Sequence, residues 1–210
     1  WVRLGVASVV LAAATAASAE VAEYKGGPAR TGAFSDAGPT QKPRVLWRAE
    51  THGSVQGSVA LRDGVVYAGS SSCNLVALDA ATGSEKWRFS TLKDKAPNTC
   101  PERGRCAPPR CWVQSSPTTT DSQVLFGADT GFLYAVDART GAERWKLRVG
   151  GRVQSSPTIA GSLVIVGCSA NAVIAADLAT GKQRWRVATG QGSNASPAVA
   201  NDVAFIGDFD

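Results

Sequence analysis

Apolar positions along this chain fall in short runs broken by Gly, Asp, Ser and Thr, and the repeated part carries no 3.6-residue helical period. The runs recur as larger units. VQSSPTTTDSQVLFGADTGFLYAVDARTGAERWKLRV from Val113 is followed 40 residues later by VQSSPTIAGSLVIVGCSANAVIAADLATGKQRWRVAT from Val153. An earlier copy, VQGSVALRDGVVYAGSSSCNLVALDAATGSEKWRFST, starts at Val55, and a partial one, SNASPAVANDVAFIGDFD, starts at Ser193. The first two copies are 58 residues apart, so 18 residues are inserted after Thr91. Each unit predicts four short strands separated by turns, the mark of an all-β array. Its second strand, such as 65–68 or 163–166, is apolar without alternation and so needs cover on both faces. A four-stranded unit of about 40 residues has the length of a propeller blade, and stacked blades bury a continuous core. The expected fold is all-β: a β-propeller fragment of four-stranded antiparallel blades, three complete and a fourth broken.

Between the third and fourth strands of each unit stands Asp-x-x-Thr-Gly, at Asp79 to Gly83, Asp137 to Gly141 and Asp177 to Gly181. An aspartate can accept bonds from backbone N–H groups ahead of it, and glycine takes the positive φ that closes such a hairpin. These carboxylates therefore read as turn chemistry and not as catalysts. In full, ALDAATGSEKW, AVDARTGAERW and AADLATGKQRW resemble the tryptophan-docking motif of the PQQ-like propeller repeat, Ala-x-Asp-x-x-x-Gly-x-x-x-Trp. The resemblance runs from about Arg44 to the end of the chain. It implies that Trp87, Trp145 and Trp185 pack against the motif of a neighbouring blade and that Ala77, Ala135 and Ala175 are its small residues. Without the family, three tryptophans in register are still large apolar anchors whose N–H needs a partner when buried. The strand around Trp47 looks like a fourth strand without its first three. The family implies a ring of seven or eight blades, of which this chain would hold about three and a half. Residue 1 is Trp, and Asp210 falls in mid-repeat, so the chain reads as cut at both ends, with open blade faces expected to self-associate.

Residues 1–19 differ from the rest. Arg3 is their only charge, an apolar run spans 4–14, and Ala17-Ser18-Ala19 supplies an A-x-A cleavage site, the layout of a secretory signal. The run is too short and Ala-rich for a spanning helix, and no Cys follows it for lipid attachment. The sequence thus divides into a signal peptide at 1–19, a lead segment at 20–43 and propeller repeats at 44–210, with a Cys-containing insertion at about 92–111. A periplasmic or secreted protein is expected, with no integral membrane segment after cleavage. Its formal charge of +5 includes Arg3, and most of the remainder is local: Lys93, Lys95, Arg103, Arg105 and Arg110 stand against Asp94 and Glu102. With Trp112 the one ring beside that run, the stretch reads as a solvated loop and not as a nucleic-acid site.

An oxidising compartment makes disulfides the first expectation for Cys73, Cys100, Cys106, Cys111 and Cys168. Up-and-down topology gathers all five on one face, with at least one bridge from the insertion to Cys73 and Cys168 left over. The spacing Cys-x₅-Cys-x₄-Cys is no standard zinc pattern. That face is where a protein or small-molecule ligand is expected. His52, the single histidine, precedes the first repeat and leaves no catalytic triad in view. No cofactor and no catalytic residue is predicted from the residues, and no metal ligand. The resemblance implies a noncatalytic binding or scaffold module like the BamB-like envelope proteins, with a PQQ- and calcium-dependent alcohol or sugar dehydrogenase as the alternative. Alcohol-oxidising members of that second group often carry two adjacent cysteines; here none are adjacent. A ligand-sensing propeller of a membrane kinase would need a spanning helix and a kinase domain, and neither is visible.

Overall fold

Second strands that are apolar on both sides can be satisfied only between two layers, and the computed structural model places them there. It describes residues 8–13, 29, 42, 44–94 and 111–208, of residues 8–13 the backbone alone. Strand β1 (Ser8–Ala13) pairs with β2 (Arg44–Glu50). Three four-stranded antiparallel sheets follow, each in chain order. The first holds β3 (Ala60–Arg62), β4 (Val65–Ser70), β5 (Asn74–Asp79) and β6 (Glu85–Ser90). The second holds β7 (Thr118–Thr119), β8 (Gln123–Gly127), β9 (Phe132–Asp137) and β10 (Glu143–Arg148). The third holds β11 (Thr158–Ala160), β12 (Leu163–Cys168), β13 (Ala172–Asp177) and β14 (Gln183–Ala188). Then β15 (Ala198–Ala200) pairs with β16 (Val203–Phe205). The one helical element among the described residues is a 3₁₀ turn, Leu92–Asp94. None of their helices is long and apolar enough to cross a membrane.

Local chemistry sets the hairpins. Asp63 and Gly64 both take positive φ (48° and 70°), as do Asn201 and Asp202 (49° and 61°), the pattern of the tight turn that matches strand twist. The core lies between the sheets. Tyr67, Leu75 and Phe89 of the first blade meet Val124, Phe126 and Tyr134 of the second. Leu125, Leu133 and Trp145 of the second meet Val164, Val166 and Ile174 of the third. Phe126 stacks on Tyr134 at 5.1 Å while Phe89 meets Phe126 edge-on at 5.8 Å, both favourable ring geometries.

The all-β blade architecture expected from the repeat is what forms. The motif tryptophans, expected to pack against a neighbouring motif, are not alike in burial: Trp87 and Trp145 are buried, whereas Trp185 is only partly so. No Asp-x-x-Thr-Gly turn among the described residues covers it. Of the expected leader 1–19, residues 8–13 form β1. Its remaining residues, nearly all of 14–43, and residues 95–110 with Cys100 and Cys106 lie outside the described residues.

Candidate functional site

Each seam between blades is built by one tryptophan and one turn. The Trp47 indole N–H donates to the Ala80 carbonyl at 2.9 Å, Trp87 to Ala138 at 3.0 Å and Trp145 to Leu178 at 3.1 Å. Each acceptor directly follows the motif aspartate of the next blade. The indole lies on the turn glycine: a Cβ on Gly83 would come 2.6 Å from the Trp47 ring, and one on Gly141 2.7 Å from the Trp87 ring. Those glycines also hold φ of 75° and 73°, so the position is closed to side chains twice over. Ala77, Ala135 and Ala175 are fully buried and pair across the sheet with Trp87, Trp145 and Trp185.

The aspartates hold their own turns. Asp137 Oδ1 accepts the backbone N–H of Arg139 and Thr140 and the Thr140 hydroxyl at 2.9–3.1 Å, and Asp79 and Asp177 repeat the arrangement. Their second oxygens meet cations at 3.2, 2.8 and 2.6 Å, from Lys86, Arg144 and Arg184 respectively. Lys86 and the turn bonds hold Asp79 below the usual carboxylate range. Arg144 does the same for Asp137, and Arg184 lowers Asp177 to about 2. All three folded values lie below that of an unfolded aspartate, about 3.9. The stabilisation is therefore present above pH 4 and is lost as pH falls from about 4 towards 2. Tryptophan fluorescence is expected to shift red within that window, and the Asp137→Asn, Asp177→Asn double variant to show a smaller acid transition. A wild-type spectrum unchanged from neutral pH down to 2 would contradict this role.

Residue-level reading gave no role to the repeated Val-Gln-Ser-Ser-Pro, and the structure supplies one. The second serine accepts from the preceding blade: Ser58 N donates to Ser116 Oγ at 2.9 Å, Ser116 N to Ser156 Oγ at 3.0 Å, and Ser156 N to Ser196 Oγ at 2.8 Å. The first serine stays within its own blade, where Ser115 Oγ bonds both N and O of Gly127, and Ser155 Oγ both of Gly167. The recurrence of Ser-Ser-Pro at one register was the available signal, since a surface serine pair has no reason to repeat.

The remaining polar chemistry gathers where the insertion leaves and rejoins the blades. Cys73 and Cys111 form a disulfide, Cα to Cα 4.9 Å, joining the β4–β5 turn to the end of the insertion. Beside it Thr91 donates from N to the Cys73 carbonyl at 2.9 Å and from Oγ1 to the Cys111 carbonyl at 2.6 Å. On the outgoing side, Asp94 is gripped by Lys146 Nζ at 2.6 Å and by the Tyr134 hydroxyl at 3.2 Å, while Lys93 reaches Glu143 at 2.9 Å. Its bond to Asp94 raises the Lys146 ammonium, and burial pushes the Tyr134 phenol well above its ordinary value. The two ends of the inserted segment are thus fixed to different blades, one to the β4–β5 turn of the first and the other to β10 of the second. Cys168 is a buried free thiol at the end of β12, by the β12–β13 turn, which the topology puts on the same face as Cys73.

Other candidates are structural or sparse. His52 is exposed. Among the described residues no three His, Cys, Asp or Glu side chains converge as metal ligands would. A groove of about 440 Å³ lies between the second and third blades, lined by Thr120, Ser122, Arg144, Ser162 and Asp177. Its ions are already engaged, Arg144 with Asp137 and Asp177 with Arg184.

Comparison with known proteins agrees with this geometry. The family described as outer membrane protein assembly factor BamB matches residues 39–102 and 103–209. Among curated proteins, the dehydrogenase subunit of the quinone alcohol dehydrogenase of Gluconobacter oxydans (strain 621H) is 31% identical over 108 residues, 50% of this chain and 13% of that protein. Among solved structures, BamB from Moraxella catarrhalis aligns with a TM-score of 0.60 at 20% identity, over 93% of this chain and 55% of that one. Quinohemoprotein alcohol dehydrogenase from Comamonas testosteroni aligns at 0.53 and 24% identity, over 65% of this chain and 21% of that one. The chain therefore spans about half of the BamB structure and about an eighth of the curated dehydrogenase subunit.

Proposed function

The chain belongs to the PQQ-like repeat family described as outer membrane protein assembly factor BamB, and from that premise we propose that it acts as a noncatalytic binding or scaffold module in the cell envelope or outside the cell. One observation carries this reading. The inserted segment is fastened at both ends, by Cys73–Cys111 to the β4–β5 turn on one side and by Asp94–Lys146 to β10 on the other. Thr91, Asp94 and Cys111, where the segment leaves and rejoins the blades, are held in place without a partner, which lessens the ordering cost of binding at those points. The partner proposed is a protein docking on the face that carries Cys73 and the insertion. The disulfide supports a periplasmic or secreted setting, since such bridges persist in oxidising compartments.

A dehydrogenase is the second reading, favoured by the 31% identity to the quinone alcohol dehydrogenase subunit. The described residues do not fit the calcium ion that PQQ requires: the motif carboxylates Asp79, Asp137 and Asp177 are spent on turns and ion pairs, and among the described residues no ligand set converges. The test is titration of the purified protein with PQQ and Ca²⁺, followed by dye-linked alcohol oxidation. Neither saturable PQQ binding nor turnover is expected. Tight binding with turnover would replace the scaffold reading by the dehydrogenase.

A further inference from the structure

Consecutive seams are closed differently on the face that carries the Asp-x-x-Thr-Gly turns, which the antiparallel topology sets opposite Cys73. Between the first and second blades Arg62, at the end of β3, reaches across to the Asp121 carboxylate in the β7–β8 turn, with its Nε 3.8 Å from Asp63. Its side chain is only 22% exposed although it leaves from a hairpin tip. Between the second and third blades both members of that bridge are replaced. Thr120 stands at the register of Arg62, since Arg62 faces Val65 as Thr120 bonds Gln123. Gly161, next to Ala160 where β11 turns into β12, stands at that of Asp121. The groove of about 440 Å³ lies where the bridge is lacking.

Much of what surrounds Arg62 is kept around the groove. Asp121 stands beside Thr120 as Asp63 stands beside Arg62, and Asp177 begins the motif turn of the third blade as Asp137 begins that of the second. Asp121 gives Arg62 its Oδ1 and is 90% exposed, which leaves Oδ2 for a second donor. Ser122 and Ser162 add hydroxyls, and Leu178 adds apolar surface of the kind on which an arginine stem lies. The Arg144 guanidinium on the groove wall is neutralised by Asp137 at 2.8 Å. Its counterpart in the first blade, Lys86, is neutralised by Asp79 at 3.2 Å, so a paired cation at this position is compatible with a guanidinium in the seam.

We propose that this groove is a docking site for an arginine side chain of a partner protein, the group that Arg62 supplies from within the chain at the preceding seam. The donors of that guanidinium go to Asp121 Oδ2 and to the Ser122 and Ser162 hydroxyls, and its stem lies against Leu178. A planar guanidinium offers five donors in a fixed fork and reaches several such oxygens at once, which an ammonium does not. The volume falls within the range of small-ligand sites, about 300–1,000 Å³. Because the groove and the insertion lie on opposite faces, this site is separate from the docking proposed above.

N-acetyl-arginine amide is the probe, titrated into the isotope-labelled protein and followed by amide chemical shifts. Saturable shifts are expected at 120–123, 161–162 and 177–179. N-acetyl-citrulline amide, which has the same shape without the charge, is expected to bind at least about tenfold more weakly. Thr120→Arg with Gly161→Asp rebuilds the Arg62–Asp121 bridge at this seam, where a Cβ on Gly161 meets nothing within 4 Å, and is expected to abolish those shifts. Arg62→Thr is expected to open the preceding seam and add a second set of shifts at 137–139. Absence of saturable shifts, an equal response to the citrulline probe, or shifts that persist in the folded double variant would overturn the site. If the double variant does not fold, the Arg62→Thr protein decides, and absence of the second set overturns the site there. Each of these outcomes leaves the scaffold reading standing.

Discussion

Replacing Trp145 by alanine is expected to cost about 3–5 kcal/mol of stability, the range for removing a large buried aromatic. The ring is 8% exposed, packs in one cluster with Leu125, Leu133, Val164 and Ile174, and lies on Gly181. Its loss leaves both a cavity between two sheets and the Leu178 carbonyl without its indole donor. In an array where each unit rests on its neighbours, losing one seam uncouples the units on either side. Urea unfolding is the measurement, with amide exchange expected to quicken across β11–β14. An unchanged midpoint would show that the seam is not held by the tryptophan.

Breaking the Cys73–Cys111 bridge is expected to cost about 2–4 kcal/mol, because it closes a long loop of the unfolded chain; its ends lie 38 residues apart. The two cysteines should not respond alike. Cys73 holds φ of 67°, a left-handed backbone, at a turn where Gly131 and Asn171 hold the equivalent positions at 86° and 53°. Cys73→Gly removes the bridge yet restores a residue suited to that backbone, so it should lose less stability than Cys111→Ser. Denaturation with and without reductant checks both statements. A wild-type midpoint indifferent to reductant would contradict them.

Legibility followed the range of each interaction. The two-sided apolar strands and the Asp-x-x-Thr-Gly turns are local, so each blade could be read from residues a few positions apart, and the 40-residue period showed that the unit recurs. That the insertion bridges to Cys73 could be argued from topology, but which cysteine does so could not. Loop-closure entropy changes only logarithmically with length, and Cys100, Cys106 and Cys111 all lie within one short segment. Cys111 is placed by contacts made after folding, notably Thr91 Oγ1 to its carbonyl and the Val113 N–H to the Ser70 carbonyl. The Asp94–Lys146 grip joins residues 52 apart and left no pattern to find. In the serine ladder the partners stand 40 and 58 residues apart, and only the repeat itself hinted at them. Residues 8–13 carry the opposite lesson. A short apolar run satisfies both a leader and a strand, and periodicity alone does not separate the two.

The claim that the array is held by one tryptophan on each following turn is tested most directly by indole hydrogen exchange, followed by NMR in D₂O. The N–H protons of Trp47, Trp87 and Trp145, bonded to Ala80, Ala138 and Leu178, are expected to persist long after an exposed indole has exchanged. Exchange of all three at the rate of free tryptophan would contradict the account.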